Sequence, residues 1–344
     1  MTANRLKQLL DAFPTVNLAV IGDFFLDKYL VIDPAIAEVS IETGLEAHQV
    51  VGKRLSPGAA GTVTSNLRAL GIGTVQAVGV IGDDGEGYEL LQGLARTGVD
   101  SAHLVQSADI FTPTYTKPMR VLPGGREEEM NRVDIKNRKV LPAALEQAVI
   151  AELRAVMPSV DAVIIADQVQ EEDFGVVTGA VREELAKLAV EYPQVHFFVD
   201  SRVRIGRYRN LIVKPNKYEA MAAVRPDFTG EISPDEALDA GRALFERNGK
   251  AVYLTLGEDG LAVFTGEGMA RVPAVTVDGE IDIVGAGDSC TAGTVSALCA
   301  GATFEEAGLV GNLVASITVQ QLGTTGTASP AQVYERYVER FGSE

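Results

Sequence analysis

The densest chemistry in the chain lies at 282–288, Asp-Ile-Val-Gly-Ala-Gly-Asp, which runs straight into a small-residue stretch, Ser-Cys-Thr-Ala-Gly. A Gly-Ala-Gly turn at a helix start leaves backbone amides clear of side chains. The helix end adds partial positive charge there, so Gly285, Ala286 and Gly287 suit a phosphate or a developing phosphoryl oxyanion. Asp288 stands at the edge of that pocket. A carboxylate disfavours plain phosphate binding but suits a base that takes a proton from an attacking hydroxyl. The competing reading of Asp288 is a helix cap after a glycine-rich turn, and the motif alone does not choose between them.

A second pattern closes an apolar run at 211–219, Leu-Ile-Val-Lys-Pro-Asn-Lys-Tyr-Glu. Asn216 and Glu219 are one helical turn apart and can face one point. They suit outer ligands of a hydrated Mg²⁺ bridging nucleotide phosphates. They equally form a capping box, with Asn216 as N-cap and Glu219 at the third helical position. The stretch 255–260, Thr-Leu-Gly-Glu-Asp-Gly, reads as a tight hairpin turn. Residues 57–71 enter a helix through Pro-Gly-Ala-Ala-Gly-Thr, small residues that either cradle a ligand or allow close helix–sheet packing. At 22–27, Gly-Asp-Phe-Phe-Leu-Asp sets two acids at the end of a strand, the edge where open α/β folds bind ligands, unless they form a solvated loop.

Short Val/Ile-rich runs at 17–22, 74–80, 161–166, 195–199, 209–213 and 251–256 read as buried parallel strands. Helical stretches at 60–70, 85–97, 142–156, 174–191, 234–247, 288–300, 303–320 and 330–341 alternate with them, several behind capping residues such as Asp84, Ser233, Thr303 and Ser329. The alternation predicts an α/β fold with a mainly parallel sheet covered on both faces. Two segments, 28–57 and 108–133, break the rhythm with β-branched residues and turn signals. They are expected to form antiparallel strands of a small lid on a large domain made of 1–27, 58–107 and 134–344.

Composition narrows the function further. The 344 residues carry 30 basic and 47 acidic side chains, a net charge of −17, with 46% apolar and 22% charged residues. That is a globular balance, and its acidity argues against nucleic acid or anionic membrane as partner. No run of 18 apolar residues suggests a membrane span. Cys290 and Cys299 sit about 13 Å apart along one predicted helix, too far for a disulfide, so a reduced, cytoplasmic protein without a leader is expected. Three histidines and two distant cysteines do not make a structural zinc site. No G-x-G-x-x-G follows the first strand, which gives a nicotinamide-dependent oxidoreductase little support, and no G-x-x-x-x-G-K-[ST] occurs, which argues against a P-loop enzyme.

Taken in order and spacing, these patterns resemble the PfkB/ribokinase family of small-molecule kinases over nearly the whole chain. AVIGDFFLDKYL near the start, VDSRVRIGRYRNLIVKPNKYEA and QQLGTTGTASPAQV near the end look most like its heptose-phosphate kinase branch. The resemblance implies a ribokinase-like three-layer α/β/α fold with a β-sheet lid, and ATP-dependent phosphorylation of a sugar or sugar phosphate. It makes Asp288 the catalytic base and Gly285, Ala286 and Gly287 the anion hole. Asn216 and Glu219 match an N-x-x-E element near Mg²⁺ and phosphate, with Glu219 acting through water. Thr255, Gly257 and Gly260 match the nucleotide-phosphate loop, and Asn312 falls in the adenine-site helix. Asp27 matches the acid that holds sugar hydroxyls, with Gly58, Ala59 and Thr62 in the sugar-binding loop. Asp282 lies where related kinases place a monovalent cation such as K⁺.

The resemblance has departures. Its usual Gly-Gly pair reads Gly58-Ala59, its usual Asn reads Thr62, and 166–175 lacks an expected lysine-containing loop; no nucleotidyltransferase half is expected in these 344 residues. A kinase for another acceptor such as a nucleoside, or a silent regulatory protein, remains an alternative. Lys117, Arg120 and Arg132 either meet a phosphate on the sugar or face solvent as lid charges. Apolar Val31, Ile32, Val39 and Ile41 in the lid suggest a homodimer through that sheet.

Overall fold

The computed structural model describes residues 1–323 and 325–343. Its strands in chain order are β1 (Asn17–Gly22), β2 (Phe24–Ile32), β3 (Glu38–Val39), β4 (Glu46–Ala47), β5 (Val50–Ala59), β6 (Thr74–Gly82), β7 (Asp100–Ser107) and β8 (Thr114–Val121). They continue with β9 (Glu127–Glu129), β10 (Val133–Ile135), β11 (Ala162–Asp167), β12 (His196–Ser201), β13 (Ile212–Val213), β14 (Val252–Thr255), β15 (Leu261–Thr265) and β16 (Gly268–Val272). The helices are α1 (Ala3–Ala12), α2 (Ala60–Ala69), α3 (Gly85–Thr97), α4 (Ala143–Val156) and α5 (Gly179–Glu191). After them come α6 (Lys217–Val224), α7 (Pro234–Asn248), α8 (Ala286–Cys299), α9 (Phe304–Thr318) and α10 (Pro330–Phe341).

The main sheet runs β16-β15-β14-β13-β12-β11-β1-β6-β7. Its pairs from β14 through β7 are parallel, while β15 and β16 add an antiparallel edge. Strand β1 shows why the strands read as unbroken apolar runs. Leu18 and Val20 enter the core under α2, α8 and α9, while Ala19 and Ile21 enter the core under α4, α5 and α7. Both faces are buried, so no polar face is needed. Among the described residues no helix is long and apolar enough to cross a membrane.

The strands outside this sheet depart from the expected antiparallel lid. β2 pairs antiparallel with β5 but parallel with β8, and β8 pairs antiparallel with β9 and β10. The reason is connectivity. β2 follows β1 and β8 follows β7, so both leave the same edge of the main sheet in one direction, and only the returning strands oppose them. The strands also reach beyond 28–57 and 108–133, starting at Phe24, ending at Ala59 and including Ile135.

Another boundary moves for a local reason. A helix was expected from 174, yet α5 starts at Gly179. Buried Asp23 accepts the amides of Gln168 (2.8 Å), Val169 (2.9 Å) and Val176 (2.8 Å), and Asp173 accepts that of Gly179 (2.8 Å). Those bonds hold 168–178 as a loop. Similarly, the strand expected at 209–213 shortens to β13, because Asn210 adopts φ +61°.

Candidate active site

The parallel strands end together. Asp167, Asp200, Lys214 and Thr255 all lie at their carboxyl edge, where β11 registers with β12 and β13 with β14. β2 and β8 rise from the same edge, and between them and α8 opens a cleft of 410 Å³. Asp27, Ala59, Thr62, Gly285 and Asp288, far apart in sequence, all line it.

Helix α8 begins two residues earlier than expected, with Gly285 as N-cap at φ +79°. Asp288 therefore sits in its first turn. The carboxyl is half-buried and, among the described residues, makes no ion pair or side-chain hydrogen bond, so the capping reading fails. Burial pushes its pKa up to about 7, with Asp200 adding to the rise. The expectation of three free amides is corrected at Ala286, whose N–H donates to Ile283 O at 3.1 Å. Gly285, Gly287 and Asp288 keep amides without a backbone acceptor among the described residues, as the first turn of a helix must.

Beneath Gly287 lies an ion pair that sequence reasoning missed. Lys214, only 4% exposed, places Nζ 2.9 Å from Asp200 Oδ2, which also accepts from Thr291 Oγ1 at 3.2 Å. Burial works against the Lys214 charge, but the Asp200 carboxylate outweighs it and the pKa is raised. A signal was present: each residue is a charge closing an apolar run, Val-His-Phe-Phe-Val-Asp and Leu-Ile-Val-Lys.

For Asn216 and Glu219 the capping box is what the structure contains. Asn216 Oδ1 accepts from Tyr218 N and Glu219 N at 2.8 and 2.9 Å, and Glu219 Oε2 accepts from Asn216 N at 2.8 Å. Burial and then Asp200 still push the Glu219 carboxyl up to about 7. Thr255 is bridged to Asn216, while Gly257 (φ +66°) and Gly260 (φ +83°) shape the turn into β15. Asn312 on α9 donates to Pro273 O at 2.9 Å. None of these residues lines the cleft.

Gly58 is buried and off the cleft wall; a β-carbon there would sit 2.5 Å from Asp27 Oδ2, so its role is to admit that carboxylate. Lys117 is not free for a phosphate, since it pairs with Asp27 Oδ1 (3.2 Å) and donates to Tyr29 OH (3.0 Å). Arg132 pairs with Asp134 and stacks 4.2 Å from the Tyr115 ring centre, and Arg120 is exposed. Asp282 uses Oδ1 to accept Val284 N at 3.0 Å, a local turn leading into Gly285. Of the two acids at 22–27, Asp23 is the loop anchor described above.

The pfkB family carbohydrate kinase profile matches residues 27–332. The chain belongs to the pfkB family of carbohydrate kinases. It is 29% identical over 330 residues to the bifunctional protein HldE of a Nitratiruptor species, covering 95% of this chain and 67% of that protein. It is 31% identical over 312 residues to the protein of the same name from Azorhizobium caulinodans, covering 89% and 61%. The chain thus spans about three-fifths to two-thirds of the curated relatives it matches. Among solved structures, phosphofructokinase-2 from Escherichia coli in complex with fructose-6-phosphate is similar with TM-score 0.69 at 18% identity, covering 94% of this chain and 99% of that one. Arabidopsis thaliana ribokinase complexed with ribose and ATP is similar with TM-score 0.66 at 17% identity, covering 93% and 98%. The fold is ribokinase-like, the protein is a carbohydrate kinase, and membership implies ATP as its phosphate donor.

Proposed function

We propose that this kinase transfers the γ-phosphoryl group of ATP to a hydroxyl of a phosphorylated sugar bound in the cleft, with Asp288 as general base. The observation that carries the proposal is the unpaired Asp288 carboxyl on the cleft wall, in the first turn of a helix with free amides. Asp27, held by Lys117 and Gly58, accepts sugar hydroxyls across the cleft. Lys136 and Arg202 also line it and have no carboxylate partner among the described residues, which favours an acceptor that carries its own negative charge.

In the reaction Asp288 takes the hydroxyl proton as the oxygen attacks phosphorus in line and ADP departs. The amides of Gly285 and Gly287 stabilise negative charge on the transferring group, and positioning provides much of the rate. Asp200 raises both Glu219 and Asp288 while Lys214 and Arg202 lower them, and this group of carboxyls suits Mg²⁺. Glu219 and Asn216 would be outer partners of an ion held mainly by phosphates and water. When bound, Mg²⁺ would neutralise phosphate charge. Asp282 has one oxygen committed to its turn, and no step is assigned to a monovalent cation.

Val39 and Ile41 are exposed, Ile41 at 103%, whereas Ile32 is buried within its own chain. Val39 and Ile41 belong to the separate β3–β4 hairpin and its turn; a second copy covering that hairpin is part of the proposal, and sedimentation as a monomer would oppose it.

An ADP-release screen with ATP and Mg²⁺ across sugars, sugar phosphates and nucleosides tests the function. Turnover should be highest with a phosphorylated sugar. Preference for nucleosides or neutral sugars would oppose the acceptor class. Background rates throughout, with nucleotide binding seen by calorimetry, would favour a regulatory protein.

A further inference from the structure

Ala59 holds φ +53° and ψ −116° where β5 turns into α2. Among the described residues only Asp173 and Asn210 share a positive φ without being glycine, and Asp and Asn enter that half of the map with some ease. Alanine does not, and these angles belong to the first central position of a type II′ turn, where glycine is the usual residue. The conformation is fixed from both sides. Ala59 ends the β2–β5 ladder opposite Phe24, and Ala60 N donates to Asp23 O at 3.0 Å.

The alanine therefore costs stability that glycine would spare, and packing does not explain the methyl. Ala59 belongs to neither hydrophobic core. Of residues 57–64 it alone is not buried, and it lines the cleft with Thr62, Asp27 and Asp288. We infer that the Ala59 methyl is a specificity-determining group that limits the bulk of the carbohydrate beside the reacting hydroxyl. The inference rests on the acceptor role proposed for this cleft.

The test compares the unmodified protein with Ala59→Gly on ribose 5-phosphate, fructose 6-phosphate and sedoheptulose 7-phosphate, acceptors that lengthen by one carbon each. Ala59→Gly should melt no lower than the unmodified protein and keep the same KM for ATP. Its kcat/KM should shift toward the bulkier acceptors by about 10-fold or more, the scale of one carbon group in a pocket. Ala59→Ser, which returns a side chain of similar size, should restore the original ranking. An unchanged ranking in an active Ala59→Gly protein, or a change confined to the KM for ATP, would overturn this inference alone. Silence from both proteins on all three acceptors would overturn it together with the phosphorylated-sugar acceptor proposed for the cleft.

Discussion

Lys214 Nζ and Asp200 Oδ2 form an ion pair of 2.9 Å directly behind Gly287, lying 3.6 and 4.0 Å from where a β-carbon on that glycine would be. Two strand ends and one helix start thereby meet at a single buried pair. Charge buried this way is retained only if both partners stay, because a lone ion in the interior lacks compensation.

Lys214→Met should therefore destabilise the protein by about 3–5 kcal/mol. Adding Asp200→Asn to it should cost much less than the sum of the single changes, since no unpaired charge then remains. Denaturant unfolding of the three variants checks this. A loss below about 1 kcal/mol for Lys214→Met would show that the pair does not hold the site together.

Asp23→Asn should free the loop 168–176. The carboxylate accepts three amides, and a single amide oxygen cannot replace both of its oxygens. Stability should fall by about 1–3 kcal/mol, and hydrogen exchange at Gln168, Val169 and Val176 should accelerate. Arg204 would still clasp the loop through Val169 O (2.7 Å) and Gln170 O (2.9 Å), so the fold should persist. Unchanged exchange at those three amides would remove Asp23 as the anchor.

That loop also shows how far the sequence was legible. The alternating apolar runs disclosed the main sheet, and the caps at Asp84, Ser233, Thr303 and Ser329 disclosed four helix starts. What stayed hidden depended on partners remote in sequence. Asp23 delays α5 from a distance of 145 residues or more. The parallel β2–β8 pairing follows from two crossovers, not from local pattern. Glu219 reads as either a cap or a phosphate-site acid; the structure contains the cap, which does not exclude the second role, and its raised pKa comes from burial and from Asp200 on another strand. The motif at 285–288 was legible as a helix start because that geometry is local, although the helix begins two residues earlier than expected and the Ala286 amide is spent on Ile283.

Stability should depend on pH through the raised carboxyls. Asp23 is pushed up to about 6, and Glu219 and Asp288 to about 7, in each case mainly by burial. The folded state thus binds protons more tightly than the unfolded chain between about pH 4 and 7, so these groups lower stability as pH rises through that window and level off above it. Asp288→Asn should accordingly melt higher than the unmodified protein at pH 8, with the difference shrinking toward pH 4. An equal difference at both pH values would show that Asp288 is not raised.

Catalysis should follow the same group in the opposite sense. A base must be deprotonated to act, so kcat/KM for the acceptor should rise roughly tenfold per pH unit below about 7 and then flatten. Glu219→Gln should retain that limb if Asp288 is its source. Loss of the limb in Glu219→Gln would transfer the ionisation to Glu219.

The most direct measurement is turnover of Asp288→Asn with saturating ATP and the best acceptor, beside calorimetric ATP affinity. Removing the proton acceptor while preserving shape should lower kcat by about 10²–10⁴-fold and leave ATP binding essentially unchanged. A kcat within a few-fold of the unmodified protein would contradict Asp288 as the base.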